Sequence, residues 1–231
     1  MGWREEAKKR AAKEAVKHVK DGDVVGLGTG STAAYAIEEI GERISRERLS
    51  LLGIPTSNRT KALAVECGIP ITTLEERPSP DIAIDGADQV DPRLNLIKGM
   101  GAALTREKVV DTAAKTLIIV VDETKLTDGL GSNQAVPIEV LPFALGYVVK
   151  ELKKMGGKPH LRSLGGKTLV TDNGNVIVDV DFGPIPDPER LETEIKLIPG
   201  VIENGLFVRV VDVVYVGCRE GLKKLERDID C

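Results

Sequence analysis

Aromatic side chains make up only 3% of this 231-residue chain, and histidine occurs twice, as His18 and His160. Two histidines cannot build a histidine-rich metal site, so metal-free chemistry is the expectation. Cys67, Cys218 and Cys231 are odd in number and far apart, a pattern that suits free thiols in a reducing compartment rather than a disulfide framework. A basic excess is missing too. The 32 Lys and Arg stand against 36 Asp and Glu, for a net charge of −4, which argues against a nucleic-acid footprint while leaving room for a local basic pocket. No apolar run approaches the ~20 residues of a membrane-spanning helix. The stretch MGWREEAKKRAAKEA is too charged for the apolar core of a secretory signal, and Glu6 sits where a myristoylation motif needs Ser or Thr. The expected location is cytoplasmic.

What is present is ordinary globular composition, 42% hydrophobic and 29% charged. The order of apolar patterns is informative. Ala7, Ala11, Ala12, Ala15, Val16 and Val19 recur at helical spacing over Trp3–Lys20. Val24–Leu27 then reads as a strand, followed by a helix through Ala33, Ala34, Ile37 and Ile40. Leu49–Ile54 and Thr60–Cys67 repeat strand and helix, and Ile69–Leu74 reads as a further short strand. Asp81–Asp85 is a strand, Ala102–Ala114 a helix and Thr116–Val121 a β-branched strand. Such alternation predicts an α/β fold: a mostly parallel sheet with helices on both faces.

After about Asn133 the rhythm changes. Ala135–Leu141 reads as a strand and Phe143–Met155 as a helix stopped by Gly156-Gly157. His160–Leu164, Thr168–Thr171 and Val176–Val180 read as strands, the last two joined by the Asp172-Asn173-Gly174 hairpin signal. Pro188–Ile198 is a helix with Asp187 at its N-cap position, and a last strand falls near Val201. The pattern predicts an inserted smaller α+β domain of ferredoxin-like type over 133–203, with 1–132 and 204–231 forming the larger one. Leu206–Gly217 reads as one long strand and Arg219–Arg227 as a terminal helix.

Candidate chemistry is densest from Asp85 to Lys108, DGADQVDPRLNLIKGMGAALTREK. A buried run, Ile82-Ala83-Ile84, stops at Asp85 and Gly86. Asp88, the glycine-flanked Lys98 and Glu107 follow within one short span. A strand ending in DGAD would bring these groups to the carboxyl edge of a sheet, where open α/β proteins place their ligands. Gly28–Thr32 is a second candidate. It follows a strand and opens a helix, so its amides and the Ser31 and Thr32 hydroxyls suit a phosphate, although a tight turn capped by Ser31 would use the same residues. Glycines at 26, 28 and 30 do not match the dinucleotide fingerprint, which weakens a nicotinamide-dependent dehydrogenase. Asp91-Pro92 reads as a turn, Asp111 and Lys115 as a solvated helix pair, and His160 as structural.

Together these segments resemble type A ribose-5-phosphate isomerase over nearly the whole chain. The resemblance runs through GLGTGST, DGAD, LIKGMGAALTREK and VDETKLTDGLG in the family's order. It implies a Rossmann-like domain carrying a smaller α+β insertion, and cofactor-independent interconversion of ribose 5-phosphate and ribulose 5-phosphate. By motif, it implies that Thr29, Gly30, Ser31 and Thr32 bind substrate on the phosphate side. Asp85, Gly86, Ala87 and Asp88 would form the second loop, with Asp85 aiding ring opening, and Lys98, Gly99, Met100 and Gly101 the third. Glu107 would be the general base, and Lys125 and Lys8 further substrate-binding lysines, Lys8 having Lys9 beside it. A homodimer or homotetramer is implied, with a sugar phosphate as ligand and neither nucleic acid nor membrane as partner. Two positions depart from the family's common pattern. Met100 replaces a glycine, which would cost about 1–2 kcal/mol if that residue needed positive φ, and Gln89 replaces a glutamate. The competing readings are a sugar-phosphate sensor, a coenzyme A transferase using Glu107 as nucleophile, and an amino-sugar phosphate deaminase, because fold alone does not fix function.

Overall fold

A computed structural model describes residues 2–227. These fall into two compact units, residues 2–87, 106–126 and 210–227 in the first and 88–105 and 127–209 in the second. Among the described residues no helix is long and apolar enough to cross a membrane.

In chain order the elements open with α1 (Trp3–Val16), β1 (Val24–Leu27), α2 (Ser31–Glu47), β2 (Leu52–Pro55), α3 (Asn58–Glu66) and β3 (Ile82–Asp85). Two short strands follow, β4 (Gln89–Val90) and β5 (Leu96–Ile97), then α4 (Leu104–Ala113) and β6 (Leu117–Asp122). Next come β7 (Val136–Val140), α5 (Leu145–Lys154), β8 (Lys158–Leu161), β9 (Ser163–Leu164), β10 (Lys167–Thr168) and β11 (Val176–Asp181). The chain continues with α6 (Pro188–Lys196), β12 (Val201–Asn204), β13 (Leu206–Phe207), β14 (Val213–Gly217) and β15 (Leu222–Glu226).

The first unit is built on a six-stranded sheet in the order β15-β14-β6-β3-β1-β2. All neighbours are parallel except β15, which runs antiparallel to β14. Strands β1, β3 and β6 are almost wholly buried, as expected for a parallel sheet covered on both faces. Ala11, Ala15 and Val16 of α1 and Ile37 and Ile40 of α2 share one core with Leu27, Ile84 and Ile118, so the helical spacing seen in the sequence is the spacing of the buried stripe. The chain leaves β1 toward β2 on one side and returns as β3 on the other. The strand order therefore reverses between β1 and β3, and the loops after these two strands meet at the switch point.

The second unit holds a β7-α5-β8-β11-α6-β12 succession in an antiparallel sheet of order β12-β7-β11-β8, the ferredoxin-like arrangement expected. Val136, Ile138 and Val140 alternate with Pro137 and Glu139. The first set packs with Val178, Val148 and Leu152 in the unit's own core, which leaves Pro137 and Glu139 on the opposite face. Asp187 caps α6 by accepting from Arg190 N at 3.1 Å, with Pro188 in the first turn. Strands β13, β5 and β4 form a separate three-stranded sheet. This compact unit is thus wider than 133–203, because the segments carrying β4, β5 and β13 join it.

Several expected elements differ. The segment read as a terminal helix over Arg219–Arg227 is mostly strand β15. Leu222 and Leu225 imitate helical spacing, but Gly221 turns the chain at φ 88 and the free edge of β14 takes up the pairing. Lys223, Lys224 and Glu226 then blunt the new edge with charge. The long strand expected over Leu206–Gly217 is broken at Arg209, which adopts φ 57, so β13 pairs with β5 and β14 with β6. Ile69–Leu74 makes only an isolated bridge, Ile71 to Gly53. Helix α1 ends at Val16 rather than Lys20, and α4 begins at Leu104 because Ala102 sits at φ 59. The 172–174 turn forms, with Gly174 N donating to Thr171 O at 2.9 Å, and Val170 bridges Val176 antiparallel across it, but regular strand before the turn is confined to Lys167–Thr168, which pairs with β9.

Candidate active site

In the first unit, the switch point brings the Gly28–Thr32 loop against Asp85. The Asp85 carboxylate, fully buried, accepts from Thr29 N at 3.1 Å and from Gly86 N at 2.6 Å through Oδ1. A Cβ on Gly28 would overlap that carboxylate, so glycine is required by the close approach. Gly30 turns the chain at φ 141 into α2, with no side chain capping the helix start. The amides of the first turn, next to exposed Ser31 and buried Thr32, therefore form a site disposed toward an anion.

Thr29 is anchored by residues the sequence reading passed over. Its hydroxyl lies 2.8 Å from Thr56 Oγ1, 2.9 Å from Ser57 Oγ and 3.0 Å from Thr60 Oγ1. Thr56 and Thr60 in turn donate to the Leu27 and Gly28 carbonyls, and Ser57 caps α3 by accepting from Thr60 N. The only sequence signal for this set is the Thr-Ser-x-x-Thr run at the end of β2, which reads equally well as a helix cap.

Glu107 occupies the first turn of α4 and is 2% exposed. That placement is unlike the solvated, dipole-favoured glutamate usual at such a position. Asp111, one turn on, is also buried. The solvated pair expected between Asp111 and Lys115 does not form, because Lys115 lies beyond the helix end and binds Asp81 at 2.7 Å. That contact, followed by Val24 N, lowers the Asp81 carboxyl below its ordinary value. Lys125 lies in the short turn Glu123–Lys125 after β6, where Asp122 accepts from Thr124 N. Lys8 pairs with Glu5 at 2.9 Å, while the Lys9 ammonium stands over the Tyr35 ring at 5.3 Å. Tyr35 donates to Glu5 at 2.5 Å. That bond, then burial, pushes the phenol up to about 12; the same bond, followed by the one from Lys8, holds Glu5 below its ordinary value.

In the second unit, Lys98 is 2% exposed, with its ammonium 5.3 Å from the Phe207 ring centroid and its amide donating to Gly205 O. Asp88 Oδ2 accepts from Met100 N at 3.0 Å, so the DGAD and KGMG segments meet. Gly99 takes φ 105 and Ala102 φ 59, whereas Met100 does not adopt positive φ. The strain feared at Met100 is therefore absent, and its half-exposed side chain meets Gln134 Nε2 through Sδ at 3.0 Å. Gln89 is buried, donates to Asn133 Oδ1 and accepts from Gly131 N at 2.9 Å. An ionised glutamate could do only the second. Asp91 forms the expected turn, accepting from Arg93 N and Asn95 N.

His160 is exposed and touches only its neighbouring Lys158 carbonyl among the side-chain bonds found for it. Cys67 and Cys218 are free, with both thiols pushed up chiefly by burial. Cys231 lies outside the described residues. Among the described residues no three His, Cys, Asp or Glu side chains gather into a group that could hold a metal ion.

A switch-point loop of backbone amides and hydroxyls beside a buried aspartate, on a doubly wound sheet, defines an α/β enzyme for a small anionic substrate. The comparisons narrow the class. The family model for ribose 5-phosphate isomerase A (phosphoriboisomerase A) matches residues 52–221, and the chain belongs to that family. Ribose-5-phosphate isomerase A of Pyrococcus horikoshii is 52% identical over 96% of this chain and 99% of its own. A D-ribose-5-phosphate isomerase solved in complex with phospho-erythronic acid superposes with a TM-score of 0.95 at 51% identity, covering 98% of this chain and 100% of that one. Ribose 5-phosphate isomerase A from Methanocaldococcus jannaschii superposes at 0.93 with 50% identity, covering 96% and 99%.

Proposed function

We propose that this chain interconverts D-ribose 5-phosphate and D-ribulose 5-phosphate through an enediolate, with Glu107 as the general base. The observation that carries the assignment of the base is the burial of Glu107 inside a motif matched by the family model. Membership of the family supports the substrate. So does the likeness to an isomerase holding phospho-erythronic acid, since a phosphorylated four-carbon acid carries two carboxylate oxygens where the enediolate carries its own two.

Glu107 removes the C2 proton of the open-chain aldose and returns it to C1, while a hydroxyl proton passes from O2 to O1. Lys98 offsets the negative charge that grows on those oxygens. Asp85 aids ring opening, and Asp88 handles the neighbouring hydroxyls. Gly86, Ala87, Gly99, Met100 and Gly101 offer backbone to the sugar. The phosphate is taken by the loop 29–32 with Lys125 and Lys8, which turns remote binding into orientation of the reacting carbons. Because the Thr29 hydroxyl is engaged with Thr56, Ser57 and Thr60, Thr29 serves through its backbone and the shape of its loop. The protein works in the cytoplasm as a homodimer or homotetramer, which light scattering checks.

The test is direct. EDTA-treated protein is mixed with ribose 5-phosphate and the ketose is followed. Metal-independent turnover supports the reading, and ribose 5-phosphate that binds without turning over replaces it with a sensor.

A further inference from the structure

One face of the small antiparallel sheet carries polar groups with no place in the chemistry above. Alternation puts Pro137 and Glu139 of β7 on that face, and the register sets them opposite Asp179 and Ile177 of β11. Arg162, just past β8, has its backbone fixed by Ile177 O and Leu169 N. Its guanidinium forks onto Asp179, with Nε to Oδ2 at 2.8 Å and Nη2 to Oδ1. The remaining donors go to the third loop. Nη1 donates to Gly99 O at 2.9 Å and Met100 O at 3.0 Å, and Nη2 faces Met100 Sδ at 3.8 Å. All five N–H groups of the fork are thereby committed. The arginine side chain is only 11% exposed and its aspartate 23%. From the same face, Glu139 accepts from Thr105 at 2.5 Å, at the far end of the segment.

The two consecutive carbonyls that converge on this one cation belong to the left-handed Gly99 and to Met100, ahead of the left-handed Ala102, whose amide also donates to Gly99 O at 3.0 Å. We propose that Arg162, held in plane by Asp179, is a positioning residue that fixes the Gly99–Met100 backbone and so aims Lys98. The inference deepens the isomerase reading and rests on it for the role of Lys98. Lysine cannot stand in, because one ammonium cannot grip a carboxylate with two parallel bonds and also reach two carbonyls.

The test compares Arg162→Lys, Lys98→Ala and the double variant in the full-length protein, and adds hydrogen exchange over residues 98–105. Exchange there should quicken in Arg162→Lys while β7 and β11 stay protected. The value of kcat should fall by up to about 100-fold, the scale of a 1 Å misplacement, with KM nearly unchanged. In the Lys98→Ala background the second change should add little. Unchanged exchange over 98–105, or a loss that multiplies fully with that of Lys98→Ala, overturns the proposal. If Arg162→Lys does not fold, Asp179→Asn loosens the same fork and is read identically. Wild-type turnover decides the isomerase reading separately, and if it is absent the exchange measurement still decides the clamp.

Discussion

The loop 28–32 of the first unit and the loop 98–101 of the second both carry candidate substrate contacts, and they are braced by opposite chemistry. Thr29 is held by three neutral hydroxyls and by the Asp85 carboxylate through its amide. Gly99 and Met100 are held by a mostly buried ion pair acting on their carbonyls. Neutral hydroxyl networks fail gradually, since each deleted bond costs about 1 kcal/mol. A buried pair fails abruptly, because losing one partner strands the other charge. The difference matches the work proposed for each. A phosphate grip tolerates small adjustments, whereas a cation facing developing charge does not.

Deleting that cation should produce the largest effect on this contrast. Lys98→Ala should lower kcat by about 100- to 1,000-fold, the range for losing one group that stabilises a developing oxyanion. A pure rise in KM, seen in steady-state kinetics, would instead make Lys98 a ground-state anchor. Next comes Asp179→Ala, which leaves the Arg162 guanidinium without its carboxylate. It should cost roughly 3 kcal/mol in urea unfolding, at the low end for a broken buried pair. A loss under 1 kcal/mol would show that the pair is as soft as the hydroxyl network.

Thr60→Val keeps the shape and deletes the bonds to Gly28 O and Thr29. It should cost about 1 kcal/mol and raise KM several-fold with kcat little changed. A large fall in kcat would erase the distinction between the two loops. The smallest effect is spectroscopic. Glu5→Gln should bring the phenolate titration of Tyr35 down from about 12 toward 10. Because the folded value is raised, the proton on Tyr35 favours the fold fully below pH 10, and that contribution is lost as pH rises through 12.

The comparison also explains what was legible in the sequence. Gly28–Thr32, Asp85–Asp88 and Lys98–Gly101 put their chemistry on consecutive residues beside a strand end, so a local reading finds them. Their braces are isolated residues of unremarkable type. Arg162 is 63 positions from Gly99 and Thr60 is 31 from Thr29; no local pattern marks Arg162, and the run that holds Thr60 reads equally well as a helix cap. Burial was equally hidden. Glu107 and Asp111 share a face of α4 by spacing, yet only the packed structure shows that this face is buried. The ferredoxin-like unit was readable because β7 and β11, its two central strands, alternate and Asp187-Pro188 announces α6. Strand β15 was not, because Leu222 and Leu225 stand at helical spacing and the edge that captured them belongs to a strand paired elsewhere.

The most direct measurement compares ribose 5-phosphate turnover by the wild-type protein and by Glu107→Gln, with substrate binding followed in both. A positioned general base contributes roughly 100- to 10,000-fold, so kcat should fall by about that factor while the sugar phosphate still binds. A Glu107→Gln protein that isomerises ribose 5-phosphate at the wild-type rate would contradict the assignment of Glu107 as the base.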